Sequence, residues 1–130
     1  MIFPITAIYA SILALIGLVL MFQVVLMRGK TGISILHGDN MLLAQAMRRH
    51  GNFIEHVPLV LILMGIVEAN GGNPTLLHVL GTVLVVARIA QPLGLHHDRM
   101  IHPLRAVGTV GTVLPTVVLI GVALWQVVGS

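Results

Sequence analysis

The residues best suited to chemistry lie close together, between positions 45 and 56 of this 130-residue chain. On a helix drawn at about 100° per residue, six polar residues fall within a stripe about 120° wide. These residues are Gln45, Arg48, Arg49, Asn52, Glu55 and His56, and we call them the polar stripe. Arg48, Asn52 and Glu55 follow one another at i, i+4 and i+7, so they form a continuous ridge.

The charges of the polar stripe predict the kind of ligand that it would bind. Two arginines lie on the stripe, Arg28 and Arg88 are expected nearby, and Glu55 is the single acid among them. A guanidinium group is planar and binds a carboxylate through two parallel hydrogen bonds. The glutamate could hold an ammonium group of the same ligand. The stripe therefore favours a small zwitterionic or polyanionic molecule.

The elements that carry the stripe are predicted to be membrane-spanning helices. Hydrophobic residues make up 57% of the chain and charged residues only 8%, whereas about 25% of a soluble domain is charged. A water-soluble chain of this length has too little interior to hide so much apolar surface. We therefore predict an all-α fold, an integral membrane four-helix bundle, in which residues 1–130 form a single domain.

Four apolar stretches are long enough to cross a bilayer, which needs about 20 mostly apolar residues. The predicted helices are Pro4–Met27, Asn40–Glu68, Thr75–Gly94 and Leu104–Val128. Asp39 or Asn40 is placed to cap the second helix. Gly108 and Gly111 are predicted to let the last helix pack closely against a neighbour.

The charges of the connections predict the orientation of the bundle. All seven Lys and Arg residues lie in or beside the first and third connections. The positive-inside rule therefore places both termini on the non-cytoplasmic side. No secretory signal is expected, because Met1–Pro4 contains no Lys or Arg and the first apolar run is too long. The formal charge of +3 is attributed to contact with anionic membrane lipid and not to nucleic acid.

The polar stripe has two interpretations on the residues alone. Ionised side chains are costly in contact with lipid, so the stripe is expected to face the bundle interior or a wet cavity. Arg48 and Glu55 could form a purely structural ion pair that Asn52 joins. Alternatively the stripe forms a ligand pocket, since Arg88 and Gln91, expected at similar depth, add more polar groups than one pair needs. The chain has no cysteine, so any reactive thiol must belong to a ligand.

The stripe and the residues after it also carry a family resemblance. The segment resembles the Arg-x-x-x-Asn-x-x-Glu-[Tyr/His]-x-Pro-Leu signature of the MAPEG family, the membrane-associated proteins in eicosanoid and glutathione metabolism. The matching residues are Arg48, Asn52, Glu55, His56, Pro58 and Leu59. The segment 51–56 is most similar to the small bacterial branch, and the resemblance covers nearly the whole chain. It implies a protein of the bacterial inner membrane.

The resemblance implies a homotrimer that binds glutathione in clefts between neighbouring subunits, open toward the cytoplasm. The residues that inherit a glutathione-binding role are Arg28, Arg48, Asn52, Glu55, His56, Arg88 and Gln91. His56 replaces a tyrosine of the eicosanoid-making members and can still supply a hydrogen bond. Gln91 and Leu95 stand where those members have tyrosines in the third span, which removes part of their contact with glutathione.

The implied activity is that of a glutathione transferase or peroxidase acting on lipophilic electrophiles that arrive through membrane lipid. A cation beside a thiol lowers its pKa and raises the reactive thiolate fraction. The family arginine with this role aligns with His102, while Arg99 and Arg105 lie three residues to either side. Both arginines are therefore candidate catalytic residues.

Two other functions stay open at this stage, and a metal site is not predicted. The missing tyrosines favour a non-catalytic protein that binds lipid or glutathione. A small multidrug-type transporter also has four short spans, but it relies on an acidic residue in its first span, where this chain has none. The cluster at His96, His97, Asp98 and His102 lacks the i, i+4 histidine pair expected of a metal site on a helix.

Overall fold

The computed structural model describes residues 1–130 and contains four α-helices in chain order. Their bounds are α1 Pro4–Thr31, α2 Met41–Ala69, α3 Pro74–Gly94 and α4 Pro103–Val128. All four are long and apolar enough to cross a membrane, which confirms the predicted all-α membrane bundle. No β-sheet is present, apart from one isolated bridge between His96 and Arg99 in the third connection.

The helix ends follow from local capping chemistry. The Asn40 side chain accepts a hydrogen bond from the Leu43 backbone N–H and begins α2, which confirms one of the two predicted caps. Asn73 does the same for α3 through the Leu76 N–H, with Pro74 at the first helical position. The first helix continues four residues beyond the predicted end at Met27. It ends only at Gly32, whose φ of 71° is the left-handed conformation that glycine adopts most readily.

The helices alternate in direction, so each end of the bundle collects residues from all four. At one end α1 and α3 finish while α2 and α4 begin, and we call it the basic end. All seven cations of the chain lie in the half of the bundle next to it, namely Arg28, Lys30, Arg48, Arg49, Arg88, Arg99 and Arg105. This matches the charge distribution used for orientation. That the basic end faces the cytoplasm stays a prediction.

The opposite end is held together by one acidic side chain. The Glu68 carboxylate, near the end of α2, accepts hydrogen bonds from the Ile5 and Thr6 backbone N–H groups at 2.7 Å each and from the Thr6 hydroxyl. The α1 N-cap residue, Phe3, makes no side-chain capping bond. Glu68 therefore caps α1 from another helix and joins the first two helices at this end.

The third and fourth helices approach closely because two glycines of α4 face α3. A Cβ at Gly108 would lie 2.3 Å from Gln91 Oε1, and one at Gly111 would lie 2.6 Å from the Ala87 Cβ. Both spacings are too short for any larger residue, which confirms the predicted role of the two glycines. The close contact brings α4 against the face of α3 that carries Arg88 and Gln91.

Candidate functional site

Arg88 lies at the centre of the bundle and organises the polar residues around it. Its side chain is 1% exposed, although it is a cation in a membrane-spanning helix. Its Nη2 donates to the Asn52 side-chain oxygen of α2 at 2.7 Å, and its Nη1 donates to the Thr112 hydroxyl of α4 at 3.3 Å. Its guanidinium carbon lies 5.6 Å from the centroid of the Phe53 ring, so the cation also has an aromatic face beside it. Three helices therefore position one charge.

The charge of this cluster is unbalanced, and two of its polar atoms lack hydrogen-bond partners. The single salt bridge of the chain joins Arg48 to Glu55, so Arg88 has no carboxylate partner. Arg88 Nε and Gln91 Oε1 are buried without a hydrogen-bond partner. Buried polar groups in native proteins are almost always paired, and an unpaired buried cation costs several kcal/mol, roughly. A cluster with an unpaired positive charge, an unpaired hydrogen-bond donor and an unpaired acceptor can bind a polar anion.

A small hollow of about 110 Å³ opens beside this cluster, between α2, α3 and α4. Six of its seven lining residues are polar, and they are Asn52, His56, Arg88, Gln91, Thr109 and Thr112. Pockets for ordinary small ligands have volumes of about 300–1,000 Å³. The hollow of one chain can therefore hold only part of such a ligand.

Arg48 and Glu55 pair with each other on the outer surface of α2. Arg48 Nη1 lies 2.9 Å from Glu55 Oε1, and Nη2 lies 2.7 Å from Oε2, so the ion pair is bidentate. Both side chains are 51% exposed. Of the two predicted surroundings, the bundle interior and a wet cavity, the bundle interior does not hold for these two side chains in the single chain. An exposed ion pair at this position in a membrane-spanning helix is costly in contact with lipid, so water or another protein surface must lie against it.

The other predicted residues of the stripe divide between two surroundings. His56 is exposed and lines the hollow together with Asn52 and Arg88. Gln45 and Arg49 instead turn toward the connection between α3 and α4. The Gln45 side-chain oxygen accepts from the His97 backbone N–H at 3.0 Å, and Arg49 Nε donates to the Leu95 carbonyl oxygen at 3.1 Å. The stripe thus divides along the helix, since Gln45 and Arg49, nearer the start of α2, contact the connection, whereas Asn52 and His56 line the hollow.

Arg28 forms hydrogen bonds within the first connection and does not line the hollow. It donates to the carbonyl oxygens of Ile33 at 3.0 Å and Leu36 at 2.9 Å, and it contacts the Met47 sulfur at 3.6 Å. The arginine closes the loop onto the start of α2. Its role within one chain is therefore to order the connection at the basic end.

The two candidate catalytic arginines lie at the basic end, outside the hollow around Arg88. Arg105 donates to the Met100 carbonyl oxygen at 3.3 Å and lines an open depression of about 430 Å³ at the start of α4, which adjoins the hollow at Thr109. Arg99 is exposed in the third connection, where its backbone N–H bonds to the His96 carbonyl oxygen at 3.3 Å. A single chain brings neither arginine against the Arg88 cluster.

Sequence reasoning missed the part that Thr112 plays in the cluster. The Thr112 hydroxyl donates to the Gly108 carbonyl oxygen at 2.7 Å, four residues earlier, and this directs its lone pairs toward Arg88. A threonine in an apolar helix ordinarily makes this same bond to its own helix. The sequence therefore contains no signal that separates Thr112 from Thr109 or Thr116, which bond to their own helix in the same way.

Comparison with known proteins agrees with this architecture. The family model described as the MAPEG family matches residues 6–125. The chain is similar to the inner membrane protein YecN of Escherichia coli strain K12, with 33% identity over 93 residues, which are 72% of this chain and 71% of the relative. The YecN protein of Escherichia coli O6:H1, strain CFT073, matches to the same extent. No solved structure matches the chain.

Proposed function

Because the chain belongs to the MAPEG family, we propose that it is a glutathione-binding membrane protein that acts as a glutathione transferase or peroxidase on lipophilic electrophiles. The observation that carries the proposal is the incomplete cluster around Arg88, a buried cation with no carboxylate partner. Glutathione has two carboxylates and one ammonium group, so its net charge suits a site with a spare cation. The similarity to an inner membrane protein supports the bacterial inner membrane as its location.

The polar groups of the site suit the groups of glutathione. A glutathione carboxylate beside the hollow would supply the missing counter-charge of Arg88 and an acceptor for its free Nε. The ammonium group would lie near Glu55, the one acid of the stripe. Glu55 already binds Arg48 through both carboxylate oxygens. Each oxygen has a second lone pair that can accept from an ammonium group.

A homotrimer would complete the site. The hollow of about 110 Å³ is too small for a tripeptide, and the ion pair of Arg48 and Glu55 is exposed on a membrane-spanning helix. A second copy packed against this face of α2 would cover the ion pair and enlarge the hollow into a cleft. We place the opening of that cleft at the basic end, toward the cytoplasm, where glutathione would enter from water.

The reactive group in this proposal is the thiol of bound glutathione, since the chain has no cysteine. Arg99 or Arg105, at the basic end, would stabilise the thiolate. In conjugation the thiolate sulfur forms a bond to the electrophilic carbon, and the leaving group departs with the electrons of the broken bond. In peroxide reduction two glutathione molecules are oxidised to a disulfide, and the peroxide is reduced to an alcohol and water. Electrophile and peroxide would reach the sulfur from the bilayer.

Addition of glutathione to the purified protein is expected to produce a thiolate absorbance near neutral pH, together with conjugation of a generic chloronitrobenzene. A free thiol with a pKa of about 8.5 is only a few per cent ionised at that pH. The absorbance of bound thiolate is therefore distinguishable from that of free glutathione. Arg99→Gln and Arg105→Gln are measured alongside, and the arginine that stabilises the thiolate is the one whose loss removes the absorbance while glutathione still binds.

The same experiment separates catalysis from binding alone. Neither Arg99 nor Arg105 lines the hollow, and this favours a non-catalytic glutathione- or lipid-binding protein as the second candidate function. Glutathione binding without any thiolate absorbance or conjugation would remove the transferase proposal and leave that candidate.

A further inference from the structure

Arg49 is a cation on the second membrane-spanning helix that does not line the hollow of the proposed glutathione site. It occupies one of the variable positions of the signature, between Arg48 and Asn52. Its Nε donates to the Leu95 carbonyl oxygen, but its two Nη groups make no hydrogen bond and no salt bridge within the chain. It lies eight residues after the start of α2, about 12 Å along the helix. A cation on a membrane-spanning helix is costly in contact with lipid unless it is paired, and no carboxylate of the chain pairs with Arg49.

The Arg49 side chain lines one end of a groove that opens sideways between α1 and α3. The groove has a volume of about 250 Å³. Its apolar wall comes from Ile16, Val19 and Leu20 of α1 and from Ile89 and Leu93 of α3. Gln23 lies at the same end as Arg49, and its side chain also makes no hydrogen bond in the chain. Arg88 lines the deeper part of the groove but is only 1% exposed, so the surface there is mainly apolar. The groove is therefore amphipathic, with an exposed cation at one end and a mainly apolar wall toward the other.

The direction of this groove matches that of a lipid in the bilayer. In α1 the residues from Ile16 to Gln23 run toward the basic end, and in α3 the residues from Ile89 to Leu93 run the same way. The polar end of the groove therefore lies nearer the membrane surface, and the apolar end lies deeper. An acyl chain along Val19 and Ile89 would bring a headgroup phosphate to the Arg49 guanidinium.

We propose that the groove between α1 and α3 is a binding site for one anionic phospholipid of the surrounding bilayer. Its phosphate pairs with the free Nη groups of Arg49, and Gln23 donates to the same headgroup. One acyl chain lies in the apolar part of the groove. The lipid site does not depend on glutathione binding for its contacts, because Arg49, Gln23 and the apolar wall of the groove do not line the hollow.

Arg88 separates this lipid from the hollow, which makes a structural lipid the occupant and not a substrate. The Arg88 side chain lines both the groove and the hollow, and it is 1% exposed, so it forms part of the wall between them. The buried Arg88 side chain therefore lies between a molecule in the groove and a thiol in the hollow. The lipid would instead fix Arg49, which holds the Leu95 carbonyl oxygen at the end of α3. The lipid would thereby stabilise the connection between α3 and α4, which carries Arg99.

Native mass spectrometry of the protein in a neutral maltoside detergent tests the site. Phosphatidylglycerol and phosphatidylcholine with the same acyl chains are added separately. The wild type is expected to bind one phosphatidylglycerol per chain at least about fivefold more tightly than phosphatidylcholine, the factor that one basic residue gives with an anionic lipid. Arg49→Gln is expected to bind the two lipids equally, and Arg49→Lys to keep the preference. The charge-state distribution in the same spectra reports whether each variant is folded.

Two further variants test the location of the site. Lys30→Gln removes another cation of the basic end, exposed at the end of α1, and is expected to keep the preference. Val19→Trp fills the groove without changing its charge and is expected to weaken the binding of both lipids. Equal binding of the two lipids by the wild type would overturn the proposal, as would an unchanged preference in Arg49→Gln. Unchanged phosphatidylglycerol binding by Val19→Trp would also overturn it.

Discussion

Replacement of Arg88 by methionine is expected to lower the affinity for glutathione at least about tenfold, while thermal stability stays equal or rises. A hydrogen bond to a charged group contributes about 1.5–3 kcal/mol, so its loss alone weakens binding about tenfold or more. The stability expectation follows from the unbalanced charge. Arg88 is buried without a carboxylate, and its bonds to Asn52 and Thr112 are to neutral groups. Replacing a buried ion by an apolar residue of similar length is often neutral or stabilising.

This pair of results distinguishes a binding residue from a structural one. Glutathione affinity is measured by calorimetric titration, and stability by thermal unfolding in detergent micelles, on the same preparations. Arg88→Lys keeps the charge and serves as the matched control, with an affinity between those of the wild type and Arg88→Met. If Arg88→Met unfolds at a clearly lower temperature and its folded fraction binds glutathione normally, Arg88 is a structural residue and the proposed role is wrong.

Replacement of Glu68 by alanine is expected to destabilise the bundle by about 2–4 kcal/mol, because α1 loses its only side-chain cap. The Glu68 carboxylate accepts three hydrogen bonds from Ile5 and Thr6, and the backbone N–H groups of these residues have no helical acceptor at the start of α1. Thermal unfolding followed by circular dichroism measures the loss. Amide hydrogen exchange at Ile5 and Thr6 is expected to accelerate in the same variant.

A double-mutant cycle with Thr6→Ala is the control for the Glu68 prediction. Thr6→Ala removes only the hydroxyl bond, so its own effect is expected to be smaller than that of Glu68→Ala. Residues in contact give non-additive effects, so the double variant should be more stable than the sum of the two predicts. Additive effects with unchanged exchange at Ile5 and Thr6 would contradict the capping role.

Most of the fold could be predicted from the sequence because the bilayer restricts the choice of structure. The chain has 57% hydrophobic residues and four long apolar runs. In lipid, such runs can form all their backbone hydrogen bonds within one segment only as helices. The start of α2 could also be predicted, because Asn40 caps its own helix. The end of α1 could not, because Arg28 to Thr31 are polar yet still helical. The capping of α1 by Glu68 was also unreadable, because it links residues more than 60 positions apart.

The candidate site was predictable to a lesser degree. The spacing of Arg48, Asn52 and Glu55 placed them on one ridge, and the ion pair of Arg48 with Glu55 follows from that spacing. A helical wheel gives relative direction only, so it could not tell which edge of the stripe faces the bundle. That choice depends on the packing of α3 and α4, which brings Arg88 within hydrogen-bond distance of Asn52 and Thr112. The wheel therefore could not show that Arg48 and Glu55 lie on the outer surface of α2 in one chain.

Glutathione titration of the wild type, Arg48→Ala and Glu55→Ala tests most directly whether the polar stripe binds glutathione. Calorimetry of each protein in the same detergent gives the three affinities, and Lys30→Ala serves as a control that removes a cation of the basic end from outside the stripe. Both stripe variants are expected to bind at least about tenfold more weakly than the wild type, since each loses a charged hydrogen-bond partner of the ligand. Lys30→Ala is expected to bind as the wild type does. Equal affinity in the wild type and both stripe variants would contradict the assignment of the stripe as the glutathione site.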